Sequence, residues 1–231
     1  MTILLWALLL YLTPLLLIMA VALPWTLQPY SFDEMPRFNA RDLKAGDVVL
    51  LRYDGFSGGK ALGFFTHIML CYSSKDGTVL TTEASPLKLL DVDGTEKYVA
   101  SRLPEESIAK YEGRYCVRRL KSPLSAEQDA KLLSAVEERR NGSYDDLLFV
   151  SYWAGLTPFA FAFSHDQRFY CSEYVTTLLN KVFDNSIAHP LLKTPSTYAS
   201  RYRSFLDVLQ LTNMKSAIDD MYTSECVPEF S

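Results

Sequence analysis

A chain of 231 residues with 48% hydrophobic and 22% charged side chains is long enough for one domain with a real core and too apolar for wholesale disorder. Its 23 basic and 27 acidic residues give a net charge of −4, and Arg118-Arg119 and Arg139-Arg140 are only isolated basic pairs. That balance excludes nucleic acid as a favoured partner, since phosphate binding needs a clustered basic surface.

From Met1 to Phe32 no side chain is charged, and the core from Ile3 to Leu23 is rich in Leu, Ile, Val, Ala and Met. At about 1.5 Å per residue, roughly 20 such residues cross the ~30 Å hydrocarbon layer as a helix. Pro14 is tolerable there as a kink, and Trp25 and Tyr30 stand where an interfacial aromatic belt belongs. Ala20-Val21-Ala22 also fits a signal-peptide cleavage pattern. The long apolar run, with no positive n-region before it, favours a retained anchor. The expectation is a single-pass N-terminal anchor over residues 1–29 with the bilayer as partner, the side of the membrane being left open. Arg37, Arg41 and Lys44 pull the following domain toward the cytoplasm, whereas the Asn141-Gly142-Ser143 sequon would matter only on the other side.

Residues 30–42, with Pro29 and Pro36 discouraging regular structure, read as a tether. Gly46-Asp47 then introduces Val48 to Tyr53, a short apolar run expected as a buried strand. Gly55, Gly58, Gly59 and Gly63 mark a loop, and Thr66 to Tyr72 is the second strand. Asp76-Gly77 is a hairpin turn leading into a third strand, Thr78 to Ala84, and Tyr115 to Leu120 is a further one. After Pro123, Ser125 and Gln128 form a capping box before the stripe Ala130, Leu132, Leu133 and Val136. A second helix starts near Cys171, with Val175, Leu178, Leu179, Val182 and Phe183 on its buried face. Strands first and helices flanking them predict an α+β domain over residues 43–205, followed by a tail from 206 to 231.

Four cysteines (Cys71, Cys116, Cys171 and Cys226) contain no CxxC pair, so zinc-ribbon and thioredoxin chemistry fit poorly. Whether Cys116 and Cys226 pair is left open. Cys171 is placed at a helix start, where first-turn amides and the helix dipole favour thiolate and could hold an oxyanion. A small core cysteine is the equally simple reading of that position alone. His67 begins a strand after the glycine-rich loop. It is one of three histidines, with His165 in a polar loop and His189 before Pro190. Glu83, across the hairpin, could orient the imidazole, although a solvent-facing strand end is the simpler expectation. Asp145-Asp146 has no further ligand at metal spacing and reads as solvated or capping. Cys71 reads as core. Phe159, Phe161, Phe163, Phe169 and Tyr170 read as core or cleft wall, with a lipid-binding lip left open.

Taken in order, several segments resemble the permuted NlpC/P60 superfamily, and within it the YiiX-like branch that includes a poxvirus protein. Leu43-Lys44-Ala45-Gly46-Asp47-Val48-Val49-Leu50 and Thr66-His67-Ile68-Met69-Leu70 are similar to its opening strands. Thr82-Glu83-Ala84, Gly142-Ser143-Tyr144-Asp145 and Thr194-Pro195-Ser196 resemble further segments, and Phe169-Tyr170-Cys171-Ser172-Glu173-Tyr174-Val175 is the most specific of the set. The resemblance runs from about residue 43 to 200 and does not include the N-terminal apolar segment or the tail. It implies a circularly permuted papain-like fold with an antiparallel sheet and flanking helices. It also implies a thiol hydrolase with Cys171 as nucleophile, His67 as base and Glu83 as the polar third member. The expected substrate is a peptide-like amide, with a lipid acyl group for hydrolysis or transfer as the alternative, since related permuted enzymes include acyltransferases of the lecithin:retinol type. A non-catalytic anchored binding protein is the rival. No metal or organic cofactor is expected.

Overall fold

A computed structural model describes residues 13, 39–52, 65–109, 115–145, 168–184, 198, 218 and 220–223. A single 3₁₀ turn, Ala40–Asp42, is capped by the Asn39 side chain, which accepts from the Arg41 N–H at 3.1 Å. It precedes β1 (Val48–Leu51), all four of whose residues are buried. Then come β2 (His67–Ser73), β3 (Val79–Leu90), β4 (Glu96–Arg102), the short helix α1 (Pro104–Ala109) and β5 (Tyr115–Arg118). The helix α2 (Ala126–Arg139), the two-residue strands β6 (Ser143–Tyr144) and β7 (Arg168–Phe169), and α3 (Cys171–Val182) complete the described elements.

Five strands form an antiparallel sheet in the order β4-β3-β2-β1-β5. The α+β class and the antiparallel sheet with helices stand as expected. Register sorts the side chains: Val48 pairs with Leu70 and Leu50 with both Ile68 and Cys116, so these lie on one face. That face packs on Leu132, Ala135 and Val136 of α2 and on Tyr174, Val175, Leu178 and Leu179 of α3. The other face carries Val49, Leu51, Met69, Cys71 and Val117 against Leu43 and Ile108. The capping box of α2 is present, with Gln128 N–H donating to Ser125 Oγ at 3.2 Å and Ser125 N–H to Gln128 Oε1 at 2.9 Å.

Two features depart from expectation. The third strand does not stop at Ala84. It passes an irregularity and runs on to Leu90, returning through Asp91–Thr95 into β4. This extended hairpin is fastened to the end of α2 by Asp91, whose buried carboxylate accepts from Lys97 Nζ at 2.8 Å, Ser101 N–H at 2.7 Å and Arg140 Nη2 at 2.8 Å. The second departure is in the nominal tail. Ile218 and Tyr222 are core residues, and Tyr222 bridges Leu120 beside β5. Arg118, 1% exposed, points into this seam and donates to Tyr198 O at 2.7 Å and Thr223 O at 2.9 Å.

Among the described residues no helix is long and apolar enough to cross a membrane. The expected anchor over 1–29, apart from residue 13, and the tether before residue 39 lie outside them, while the end of the tether forms the 3₁₀ turn Ala40–Asp42; the glycine loop at 55–63, His165, His189, Phe159, Phe161, Phe163, the segment 194–196 and Cys226 also lie outside.

Candidate active site

Cys171 is the first residue of α3, as its helix stripe requires, and is 7% exposed. Tyr170, in extended conformation, precedes it, and the first turn closes with Tyr174 N–H donating to Tyr170 O at 3.0 Å. Val175, Leu178, Leu179 and Val182 seat the helix, with buried polar contacts beside them: the Tyr174 hydroxyl meets Thr82 Oγ1 of β3 at 2.8 Å, and Thr176 Oγ1 meets the Tyr198 hydroxyl at 2.6 Å. Phe169 stacks obliquely on the Tyr174 ring at 5.7 Å, and both Phe169 and Tyr170 are core, as expected.

His67 is the first residue of β2, with its side chain 12% exposed. It pairs with Leu51 and therefore shares a face with Met69 and Cys71. On β3, Thr82 pairs with Leu70, so Glu83 falls opposite Met69 and diagonal to His67 on that same face. The geometry follows: His67 Nε2 and Glu83 Oε2 lie 2.5 Å apart. The imidazole also hydrogen-bonds the Cys171 thiol. Thus Cys171, His67 and Glu83, the three residues singled out in the sequence, form one continuous row.

The electrostatics of the row are those of an ion pair. Burial alone pulls the imidazole down, but the hydrogen bonds to Cys171 and Glu83, with their charges, outweigh it and lift His67 from 6.5 to about 9. At neutral pH the ring is an imidazolium between sulfur and carboxylate.

Glu83 corrects the expectation of a solvent-facing strand end. It is 1% exposed, in mid-strand, because β3 continues past it and pairs with β4. A group missed in the sequence meets it there. Arg102, the last residue of β4, donates through Nη2 to Glu83 Oε1. Arg102 pairs with Thr81, two residues from Glu83 on the same face. The signal was therefore a register relation, invisible without knowing that Glu96–Arg102 is a strand.

Two more carboxyls lie near the head of α3. Glu173 accepts from Tyr170 N–H at 3.4 Å, and burial, with the nearby Asp145 charge adding to it, pushes its carboxyl up to about 8. Asp145 is not solvated as expected. It is 2% exposed because β6 pairs with β7 and carries it into the core, where its N–H donates to Phe169 O at 3.1 Å. Cys71, Cys116 and Cys171 are free thiols. Cys71 is fully buried as expected, and burial, helped by the Asp47 charge, pushes its thiol well up, so it is no competitor to Cys171 as a nucleophile. Among the described residues no group of three or more His, Cys, Asp or Glu is placed to hold a metal ion.

No protein-family model matches this chain, and no curated protein matches it either. Among solved structures, the chain is similar to the metalloprotein yiiX from Escherichia coli O157:H7, at 19% identity and a TM-score of 0.47, over 81% of this chain and 98% of that one.

Proposed function

We propose that the chain is a thiol hydrolase of the permuted papain-like kind, in which Cys171 is the nucleophile, His67 the proton carrier and Glu83 the residue that orients it. The observation that carries this reading is the row itself: a helix-start cysteine hydrogen-bonded to an imidazole whose Nε2 is 2.5 Å from a buried carboxylate. The Cys171 thiolate forms a carbon–sulfur bond at a carbonyl, moving the π pair onto oxygen beside the first-turn amides of α3. Collapse breaks the bond to the leaving amine, which takes the imidazolium proton, and a thioester remains. Water then attacks as His67 accepts its proton; the thiolate departs, the acid is released and the ion pair is restored.

A peptide-like amide is the first substrate class. A lipid acyl group is the second reading, favoured by Leu87 at 73% and Leu90 at 62% exposure. Both lie where β3 runs on beyond Glu83, on the strand that carries the orienting carboxylate. Exposed aliphatic side chains are a feature of membrane-facing surfaces. The uncharged segment before Asp33 fits the same reading as a single-pass anchor.

The test is the pH dependence of iodoacetamide labelling at each cysteine, read by mass spectrometry in wild type and His67→Ala. The reading requires Cys171 alone to react quickly below neutral pH, and to lose that advantage without His67. An inert Cys171, or one indifferent to His67, would leave an anchored binding protein on a hydrolase scaffold.

A further inference from the structure

We propose that Arg102 is a positioning residue for the thiol–imidazole couple, acting on it through Glu83 by completing an alternating row of charges; the inference rests on the hydrolase reading above. From α3 to β4 the row runs Cys171, His67, Glu83, Arg102. In the reactive form its charges are minus, plus, minus, plus, and they sum to zero. Without the guanidinium, the buried site would hold two anions against one cation. Charge in a poorly solvated site is costly, so the row would shed its excess by taking up a proton, most simply at the sulfur. Arg102 therefore supplies the cation that balances Glu83 and acts on the thiol–imidazole couple from a distance, without touching the sulfur.

The local geometry fits this assignment. Both Arg102 and His67 are 12% exposed along their side chains, and Glu83 between them is 2% exposed, so water screens neither contact well. Arg102 Nε is buried without a hydrogen-bond partner, so the guanidinium is committed to the site by its Nη2 bond to Glu83. Glu83, in turn, is fixed at both oxygens, Oε1 by Arg102 and Oε2 by His67, which leaves the carboxylate no freedom to turn away from the ring. Among the described residues, the other titratable groups on elements packed around the row include Arg52 just after β1, Tyr115 on β5, Cys71 on β2, Glu105 and Glu106 on α1, Glu173 on α3 and Asp145 beside it. Cys71 is held as a thiol, Glu105 pairs with Arg41 at 3.4 Å, and Glu173 is a neutral acid until about pH 8.

The experiment measures the pH midpoint of iodoacetamide labelling at Cys171 in the full chain for wild type, Arg102→Gln, Arg102→Lys, Glu83→Gln and the Glu83→Gln/Arg102→Gln double variant. Arg102→Gln is expected to raise the midpoint by about one pH unit, so labelling slows about tenfold at pH values below both midpoints. Arg102→Lys, which keeps the charge, returns most of that loss even where the glutamine variant folds poorly. In the Glu83→Gln background, Arg102→Gln adds no further upward shift, because the link is gone. A midpoint unmoved by Arg102→Gln, a lysine variant as impaired as the glutamine one, or an undiminished Arg102→Gln effect in the Glu83→Gln background each overturns the proposal while the thiol–imidazole couple stands. A wild-type Cys171 that is slow at pH 6 and indifferent to His67→Ala overturns the couple itself, and this proposal with it.

Discussion

Glu83→Gln preserves the shape of the orienting side chain and removes its charge, so it isolates what that charge does to His67. The imidazole is held at about 9 against an ordinary 6.5, a rise of about 2.5 pH units that burial opposes and that Cys171 and Glu83 share. If the two partners contribute comparably, losing the carboxylate lowers the midpoint by at least about one unit, or roughly 1.4 kcal/mol of proton affinity. The assay is an NMR titration of ¹³C-labelled imidazole rings. The chain has only three histidines, so a His67→Asn sample assigns the signal. Wild type titrates near 9 and Glu83→Gln at 8 or below. Because the Cys171 contact also raises the imidazole, Cys171→Ala and the Cys171→Ala/Glu83→Gln double variant are measured beside them. With both partners removed, only burial remains, and the midpoint falls below 6.5. A wild-type midpoint at or under 6.5, or a Glu83→Gln midpoint that stays near 9, refutes the electrostatic account of the row.

Glu173 makes a prediction about stability. Its folded carboxyl, at about 8, lies above the ordinary 4.5, so the fold keeps a proton that the unfolded chain releases. Stability contributed in this way is present below pH 4.5 and is lost as pH rises toward 8, by an amount on the order of a few kcal/mol. Glu173→Gln therefore loses less thermal stability than wild type between pH 5 and pH 8; equal losses would show that Glu173 is not the titrating group. Gly46 sits at φ +88°, and a Cβ there would come 2.3 Å from Leu120 Cδ1. Gly46→Ala then costs roughly 1–2 kcal/mol for the left-handed backbone and about 1–3 kcal/mol for overpacking, read as a lowered urea midpoint; an unchanged midpoint contradicts the geometry. Leu87→Ser/Leu90→Ser lowers turnover of a lipid ester in phosphatidylcholine vesicles while sparing a short soluble ester. Equal turnover of the vesicle ester by the variant and wild type removes the lipid reading of the hairpin.

What the sequence made legible was whatever local patterning controls. Val48–Leu51 is apolar throughout because both its faces are covered, and the capping box at Ser125 is a contact within one turn. Asp76-Gly77 turns the chain as expected, Gly77 taking φ +81°. Cys171 could be placed at a helix start because Val175, Leu178, Leu179 and Val182 fix the phase of the helix that follows. Relations between distant segments were not legible. Glu96–Arg102 reads as polar, with three charged residues in seven, and is a strand because β3 offers it a ladder. With that strand unseen, Glu83 looked like a strand end and Arg102 drew no reading at all. Arg118 misleads in the same way: a basic residue on the core face is acceptable only because carbonyls from Tyr198 and Thr223 meet it there.

That last contact bears on how the molecule reaches its fold. The Tyr222 hydroxyl donates to Gly46 O, joining positions 176 residues apart, and Arg118 meets Thr223 across 105. Closure entropy grows only logarithmically with such separations, so the equilibrium cost is small; the cost falls on rate. Hairpins such as β2–β3 can form before the seam does, but the bonds from the Arg118 guanidinium to Tyr198 O and Thr223 O wait until the far end of the chain arrives. Until then β5 is a bare sheet edge with a desolvated cation on its inner face, and that interval is when the refolding chain is most open to strand-to-strand association with its neighbours.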